Sequence, residues 1–151
     1  MILKSYIVEK SINTLKKYKS VLLYGENDGI KDDIKNKLKI LYQDTDIINL
    51  FQDEIIKNRN ILFENANNAS LFNDKKTIFI HEASDKILDE ITEVLEKENK
   101  TVEIFLLSSV MDKKSKLRNL YEKEATLAAL PCYEDTDRTL ILYIGEELKE
   151  L

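Results

Sequence analysis

The sequence predicts an α/β protein, a three-layer parallel sheet with helices on both faces. Short apolar runs, typical of strands that are buried on both faces, alternate with longer segments whose apolar residues recur at helical spacing. Such alternation favours parallel strands joined by helical crossovers. At 151 residues the chain is long enough for one domain with a sizeable core. Its sequence contains no linker rich in glycine, proline or serine that would divide it.

Five segments are predicted to be strands, because they are rich in β-branched and aliphatic residues and are bounded by turn-forming or polar ones. Gly25 ends the first strand and Pro131 stops the last. The predicted strands are 21–24, 47–51, 77–80, 102–107 and 127–130.

The helices are predicted from apolar residues that recur every three or four positions between charged ones. Asn27 or Asp28 is expected to cap the second helix, and Ser84 or Asp85 the fourth. In the second helix we expect the charged residues, including Lys31, to face water. The predicted helices are 7–18, 30–41, 53–60 (with 61–63 as its possible end), 87–95, 112–124 and 136–151. Residues 1–135 would then form the domain, and 136–151 a C-terminal helix.

Composition excludes several classes of function. The chain is 43% hydrophobic and 34% charged with a net charge of −5, which argues against a domain that coats DNA or an anionic membrane. Cys132 is the only cysteine and His81 the only histidine, so an internal disulfide and a multi-histidine metal site are both excluded. The sequence shows no signal peptide and no apolar stretch of membrane-spanning length, so we expect a cytoplasmic protein. We also expect that it uses no cofactor.

The turn after the first strand is where a sheet of this kind would bind phosphate. A nucleotide loop needs Gly-x-x-x-x-Gly-Lys-Ser/Thr. The spacing of Gly25, Gly29 and Lys31 does not fit, and Glu26 and Asp28 would repel phosphate.

The end of the third predicted strand also departs from an ATPase. An Asp-Glu pair would hold magnesium there, but the chain has His81 and Glu82. We therefore predict no nucleotide hydrolysis, and we interpret His81 as a hydrogen-bonded residue at a strand end.

Two other features have plain structural interpretations. Cys132, between Pro131 and Tyr133, is interpreted as a packing residue, because no neighbour in the sequence would lower its pKa. A basic run in the fifth helix is predicted to be a solvated face, because a DNA track would need more positive surface and aromatic stacking partners. That run consists of Lys113, Lys114, Lys116 and Arg118.

Leu71 and Phe72 are two large apolar residues in a polar stretch directly before the third strand. Single apolar residues near a surface are common, so the pair could be a local plug in the core of the domain. It could also be an anchor that waits for a partner. The pattern alone favours the plug and leaves both interpretations open.

Six short motifs, in this order, resemble the N-terminal domain of the delta subunit of bacterial DNA polymerase III, a clamp-loader subunit. Each motif is weak by itself, and it is their order across nearly the whole chain that makes the resemblance specific. They are Leu22–Asn27, Phe51–Ile55, Ser70–Phe72, Ile78–Ala83, Lys114–Arg118 and Pro131–Tyr133.

The resemblance implies a fold like that of AAA+ and RecA-like ATPases with a decayed nucleotide site. It implies a non-catalytic subunit that binds and opens the sliding clamp, the beta subunit, during DNA replication. In that family a Leu-Phe pair enters a hydrophobic pocket of the clamp; by position this pair is Leu71 and Phe72, flanked by Ala69 and Ser70.

Further expectations concern the rest of the loader. The family implies middle and collar domains beyond 136–151, contacts with other loader subunits through the full-length protein, only indirect contact with DNA, and no membrane association. The alternative is a small α/β enzyme or a phosphate-accepting signalling domain. That class of protein needs an acidic residue where His81 stands.

Overall fold

A computed structural model of the chain describes residues 1–68, 74–97 and 100–133, and these contain a five-stranded sheet. Its strands are β1 (Ser20–Tyr24), β2 (Asp46–Phe51), β3 (Lys76–His81), β4 (Val102–Leu107) and β5 (Leu127–Pro131). Every neighbouring pair of strands is parallel, and the spatial order is β2-β3-β4-β1-β5. The predicted parallel sheet is confirmed.

Helices cover both faces of this sheet, which confirms the three-layer arrangement. The helices are α1 (Ser5–Lys10), α2 (Asp28–Leu41), α3 (Gln52–Lys57), α4 (Ile61–Asn67), α5 (Leu88–Glu96) and α6 (Lys116–Lys123). On one face Val21 and Leu23 pack with α1 and α2, and on the other Leu22 packs with the remaining four of these helices. This division follows from the alternation of side chains along a strand. The predicted helix 136–151 lies outside the described residues.

Two predicted helices are divided in the structure. The helix predicted over 7–18 breaks at Ser11, whose backbone is not helical, and continues as a 3-10 helix over Ile12–Lys17. Ile61–Phe63 is not the end of α3, because α4 begins at Ile61 after a turn in which the Ile61 N–H donates to the Asn58 carbonyl.

Two helix starts are also later than predicted. The helix predicted over 112–124 begins at Lys116, because the Asp112 carboxylate accepts a hydrogen bond from the Lys114 N–H and holds a turn there. Ser84 caps a 3-10 helix over Asp85–Ile87, and α5 begins only at Leu88.

The parallel strands give the sheet two chemically distinct edges. We call the edge where the five strands end the carboxyl edge, and the edge where they begin the amino edge. The turn from β1 to α2 lies at the carboxyl edge. The start of β3, which follows residues 69–73 in the sequence, lies at the amino edge.

Candidate functional site

The turn after β1 is closed against the end of β5. Gly25 has a φ of +123°, which favours glycine, and a Cβ placed on it would lie 2.1 Å from the Cys132 carbonyl oxygen. A side chain at this position would therefore collide with the backbone after β5. The turn and the end of β5 can approach this closely only because residue 25 is a glycine.

The backbone N–H groups of this turn are hydrogen-bonded within the domain. Gly25 donates to the Ser109 carbonyl at 3.1 Å, and Asn27 donates to the Cys132 carbonyl at 3.0 Å. Asn27 also caps α2, because its side-chain oxygen accepts from the Ile30 N–H at 3.1 Å. A phosphate-binding loop directs such N–H groups at its ligand. Here they are directed at protein acceptors instead.

Lys31 lies under the same turn and is only 7% exposed. The prediction that it faces water is therefore wrong. Its ammonium donates to the Gly25 carbonyl at 2.8 Å and to the Ser108 carbonyl at 2.9 Å, and it pairs with Asp28 at 3.1 Å. Carbonyl groups where strands end have no partner in the ladder, and a long lysine side chain reaches them from the first turns of α2.

His81 ends β3 at the carboxyl edge. Its Nε2 lies 2.9 Å from the Asn49 side-chain oxygen and 3.1 Å from the Lys35 ammonium, and its ring stacks on Phe51. Burial, together with the charges of Lys35 and Lys39, lowers the pKa of the imidazole. The prediction of a hydrogen-bonded residue at a strand end is confirmed.

A cleft of about 350 Å³ opens beside His81 at this edge. The acidic residues Asp28, Asp32 and Glu82 all line it. Glu82 adopts a positive φ of 58°, uncommon for a residue with a side chain. Carboxylates disfavour a phosphate group in this cleft.

Cys132 is buried and packs where β5 ends. Burial raises the pKa of its thiol to about 12, so the group is not a thiolate at neutral pH. The interpretation of Cys132 as a packing residue is confirmed.

The basic run is only partly a solvated face. Lys113, Lys114 and Lys116 are exposed, as predicted. Arg118 is not, because its Nε donates to Glu122 at 2.7 Å and its guanidinium lies over the Tyr24 ring. Its side chain is only 14% exposed.

Of the two caps predicted for the fourth helix, Ser84 caps the 3-10 helix that precedes α5, and Asp85 has a different structural role. Instead of capping α5, its carboxylate accepts hydrogen bonds from the Ser115 hydroxyl and from the N–H groups of Lys116 and Leu117 at the start of α6. Partial burial opposes ionisation of Asp85, but these hydrogen bonds outweigh it and lower the pKa of the carboxyl. The partners are about 30 positions away along the chain, so no local pattern identifies the contact.

The predicted clamp-binding residues Ala69, Ser70, Leu71 and Phe72 lie outside the described residues. Their flanks are described. The α4 helix packs Leu62 and Ala66 into the core and ends at Asn67, and the chain is described again from Asp74, two residues before β3.

Lys76 at this flank is a buried residue that the sequence analysis did not single out. It is 8% exposed and begins β3. A signal was available, because residues 76, 78 and 80 share one face of the strand and Ile78 and Ile80 are core residues.

Within residues 1–68, 74–97 and 100–133, every helix is too short or too polar to cross a lipid bilayer. The same residues contain no group of three His, Cys, Asp or Glu side chains that could hold a metal ion.

No protein-family model and no curated protein matches the chain. Among solved structures it is similar to the Bacillus subtilis DNA clamp loader delta protein YqeN, with a TM-score of 0.72 and 11% identity over 97% of this chain and 47% of that one. It is also similar to Saccharomyces cerevisiae RIF2, with a TM-score of 0.51 and 18% identity over 94% of this chain and 59% of that one.

The chain thus spans about half the length of the clamp loader delta protein. At these identities the likeness establishes the fold. The three-layer α/β fold expected from the resemblance to the delta subunit is confirmed.

Proposed function

We propose that this chain is the clamp-binding domain of a delta-type clamp-loader subunit of DNA polymerase III, which binds and opens the sliding clamp during DNA replication. The observation that carries the proposal is the similarity in fold to a clamp loader delta protein over 97% of the chain. The motif order in the sequence points to the same family independently. Contacts with other loader subunits belong to the full-length protein.

The proposed contact is made by Leu71 and Phe72, with Ala69 and Ser70 beside them. Burying each large side chain in a pocket of the clamp would contribute about 1.5–3 kcal/mol before association costs. Aromatic and aliphatic anchors of this kind dominate many interfaces. Ring opening then requires that the domain bind the open form of the clamp more tightly than the closed form.

We further propose that the domain is non-catalytic and uses no nucleotide or other cofactor. The N–H groups of Gly25 and Asn27 are hydrogen-bonded to protein carbonyls, and the Lys31 ammonium is engaged by two more. A phosphate would have to displace these bonds and approach the carboxylates that line the neighbouring cleft. The proposed setting is the cytoplasmic replication machinery, with DNA reached only indirectly through the clamp and loader.

Titration of the chain with the purified sliding clamp of its own organism tests the proposal. We expect saturable binding. A chain that remains folded and shows no binding to the clamp would overturn it.

Thermal unfolding with and without millimolar Mg-ATP tests the non-catalytic part. A ligand that binds only the folded state raises the unfolding midpoint, so we expect no change. A clear rise would favour the alternative, a small α/β enzyme or phosphate-accepting domain that acts at the carboxyl edge.

A further inference from the structure

The amino edge of the sheet carries a cleft of about 230 Å³, which we call the amino-edge cleft. It lies where β2, β3 and β4 begin and where α2 ends, on the face of the sheet that α2 covers. Glu103 of β4 lines it. Six other titratable residues line it as well, namely Lys16, Tyr42, Asp44, Lys75, Lys76 and Lys100.

Glu103 is an acidic residue on an inner strand of the sheet. It pairs with Thr77 of β3, and the next residue on the same face of β4 is the core residue Phe105. Burial raises the pKa of the Glu103 carboxyl to about 7, and the charge of Lys75 acts in the opposite direction without cancelling that effect. Near neutral pH the carboxyl therefore exchanges between an ionised form and a protonated form that can donate a hydrogen bond.

The Tyr42 hydroxyl is buried and has no hydrogen-bond partner among residues 1–68, 74–97 and 100–133. The Tyr42 ring packs against Phe105, with 5.7 Å between the ring centroids. Burial and, to a smaller extent, the charge of Glu103 raise the pKa of Tyr42 to about 12, so the hydroxyl keeps its proton at neutral pH. A buried donor without an acceptor is unfavourable, and a bound acceptor group would relieve this cost.

The charges of the amino-edge cleft favour an anion. Its lysines outnumber Asp44 and Glu103, and Lys16, Lys75 and Lys100 are exposed, so their flexible side chains can reach a bound group. Lys76 is not available, because its ammonium donates to the carbonyls of the α4 end. Ammonium groups bind oxyanions through charge-assisted hydrogen bonds, and they repel a cation.

The size of the amino-edge cleft limits the anion. Its volume of about 230 Å³ is below the roughly 300–1,000 Å³ that sites for drug-sized ligands occupy. A single phosphate-sized group fits this volume, and a nucleotide exceeds it. The absence of a response to Mg-ATP that we expect for this chain is therefore unaffected.

We propose that the amino-edge cleft binds a small tetrahedral oxyanion of the phosphate class, held by Lys75, Lys100 and the Tyr42 hydroxyl. Binding takes up a proton on Glu103, because the ionised carboxylate would repel the anion and the protonated one can donate to it. The site is separate from the cleft beside His81, where carboxylates disfavour phosphate. It does not depend on the proposed binding of the clamp.

Sulfate is the probe, because it is a tetrahedral oxyanion whose own charge stays constant between about pH 6 and 8. Backbone amide NMR shifts are followed during titration, with the ionic strength held constant by sodium chloride. We expect saturable shifts around Tyr42 and Glu103, and binding weaker by about fivefold or more at pH 8 than at pH 6. Shifts that do not saturate, or an affinity that is independent of pH, overturn the proposal.

Lys75→Gln removes one of the proposed anion ligands at an exposed position. It should weaken sulfate binding at pH 6 by about fivefold or more. Lys57→Gln is the matched control, because Lys57 is an exposed lysine at the end of α3, and it should change the affinity by less than about twofold. Equal affinities of the two variants would show that sulfate responds only to net charge and would overturn the proposal.

Glu103→Gln tests the coupling to a proton, because the amide has the same shape as the carboxyl and does not titrate. We expect this variant to bind sulfate equally well at pH 6 and pH 8. A variant that keeps the pH dependence of the unmodified chain would overturn the role of Glu103.

Tyr42→Phe separates a binding role of the hydroxyl from a structural one. Without sulfate its urea midpoint should equal or exceed that of the unmodified chain, since the buried hydroxyl has no partner to lose. Its affinity for sulfate at pH 6 should nevertheless fall by about threefold or more. A lower midpoint without sulfate, or an unchanged affinity, would overturn the role of Tyr42.

A short single strand of DNA carries the same phosphate chemistry on a backbone, and its titration identifies the source of the anion. We expect it to bind no more tightly than sulfate, because the cleft admits one small group. Tighter binding of the strand that is lost in Lys75→Gln would overturn the assignment to a free anion.

Discussion

At each edge of the sheet a buried lysine ammonium donates to backbone carbonyls, but the structural role of the lysine differs between the two edges. At the carboxyl edge the buried Lys31 ammonium bonds the carbonyls of Gly25 and Ser108, directly under the turn where a parallel sheet usually binds its ligand. At the amino edge the buried Lys76 ammonium bonds the end of α4. The first lysine helps to close a turn, and the second bonds a helix end that precedes the proposed clamp-binding pair in the sequence.

This difference shows that a fold alone does not determine at which edge of the sheet a functional site lies. Open parallel sheets usually bind ligands beyond the carboxyl ends of their strands, yet here the N–H groups of Gly25 and Asn27 at that edge are engaged by the protein itself. The edge at which a function is sought must therefore be chosen from the residues that line it.

The largest expected effect is on the closed turn. Gly25→Ala would place a Cβ 2.1 Å from the Cys132 carbonyl oxygen in a conformation that disfavours side chains. We expect it to lower the free energy of unfolding by about 3 kcal/mol or more, measured by urea denaturation.

Gly29→Ala is the control for this substitution. Gly29 lies in the first turn of α2, and its nearest contact would be the Asn27 side-chain oxygen at 3.4 Å. We expect Gly29→Ala to be neutral or to stabilise the protein by up to about 1 kcal/mol, because alanine is the better helix former. Similar effects of the two substitutions would show that the turn is not closed against β5.

The strands could be predicted from the sequence and the long-range polar contacts could not. Buried parallel strands leave a local signal, so β4 was predicted with its observed bounds. Lys31 and Arg118 were predicted to be exposed from their residue type, but each reaches acceptors on other parts of the fold. Such acceptors are brought close only by the tertiary structure.

Two predicted helix boundaries differ from the observed ones for a related reason. Ser11 and Asp112 lie in segments with acceptable helical spacing, but non-helical backbone at Ser11 and a local hydrogen bond to Asp112 interrupt the helix there. The site prediction for Leu71 and Phe72 stays a prediction, since both residues lie outside the described part of the chain.

A smaller effect is expected at Asp85, which joins the loop after β3 to the start of α6. Asp85→Ala removes the acceptor for the N–H groups of Lys116 and Leu117, and loss of such a cap costs about 0.5–2 kcal/mol at pH 7. Glu93→Ala, at an exposed position of α5, should change stability by less than about 0.5 kcal/mol.

The Asp85 effect should depend on pH with a defined sign. Because the pKa of Asp85 is lowered in the folded state, its stabilisation is present above the ordinary value of 3.8 and is lost as the pH falls through the folded-state pKa. Urea denaturation of both chains between pH 7 and acid should therefore show the difference shrinking below that value. A difference that stays constant into acid would mean that the charge of Asp85 contributes nothing to the cap.

The central claim is tested most directly by replacing both Leu71 and Phe72 with alanine and measuring clamp affinity and unfolding free energy on the same protein. We expect binding to weaken by about 2 kcal/mol or more per residue, while stability changes by about 0.5 kcal/mol or less per residue. Neutralising Lys113, Lys114 and Lys116 is the control and should affect binding only weakly. A double variant that loses about 2–5 kcal/mol of stability per residue would identify the pair as a core plug, and one that binds the clamp normally would equally contradict the account.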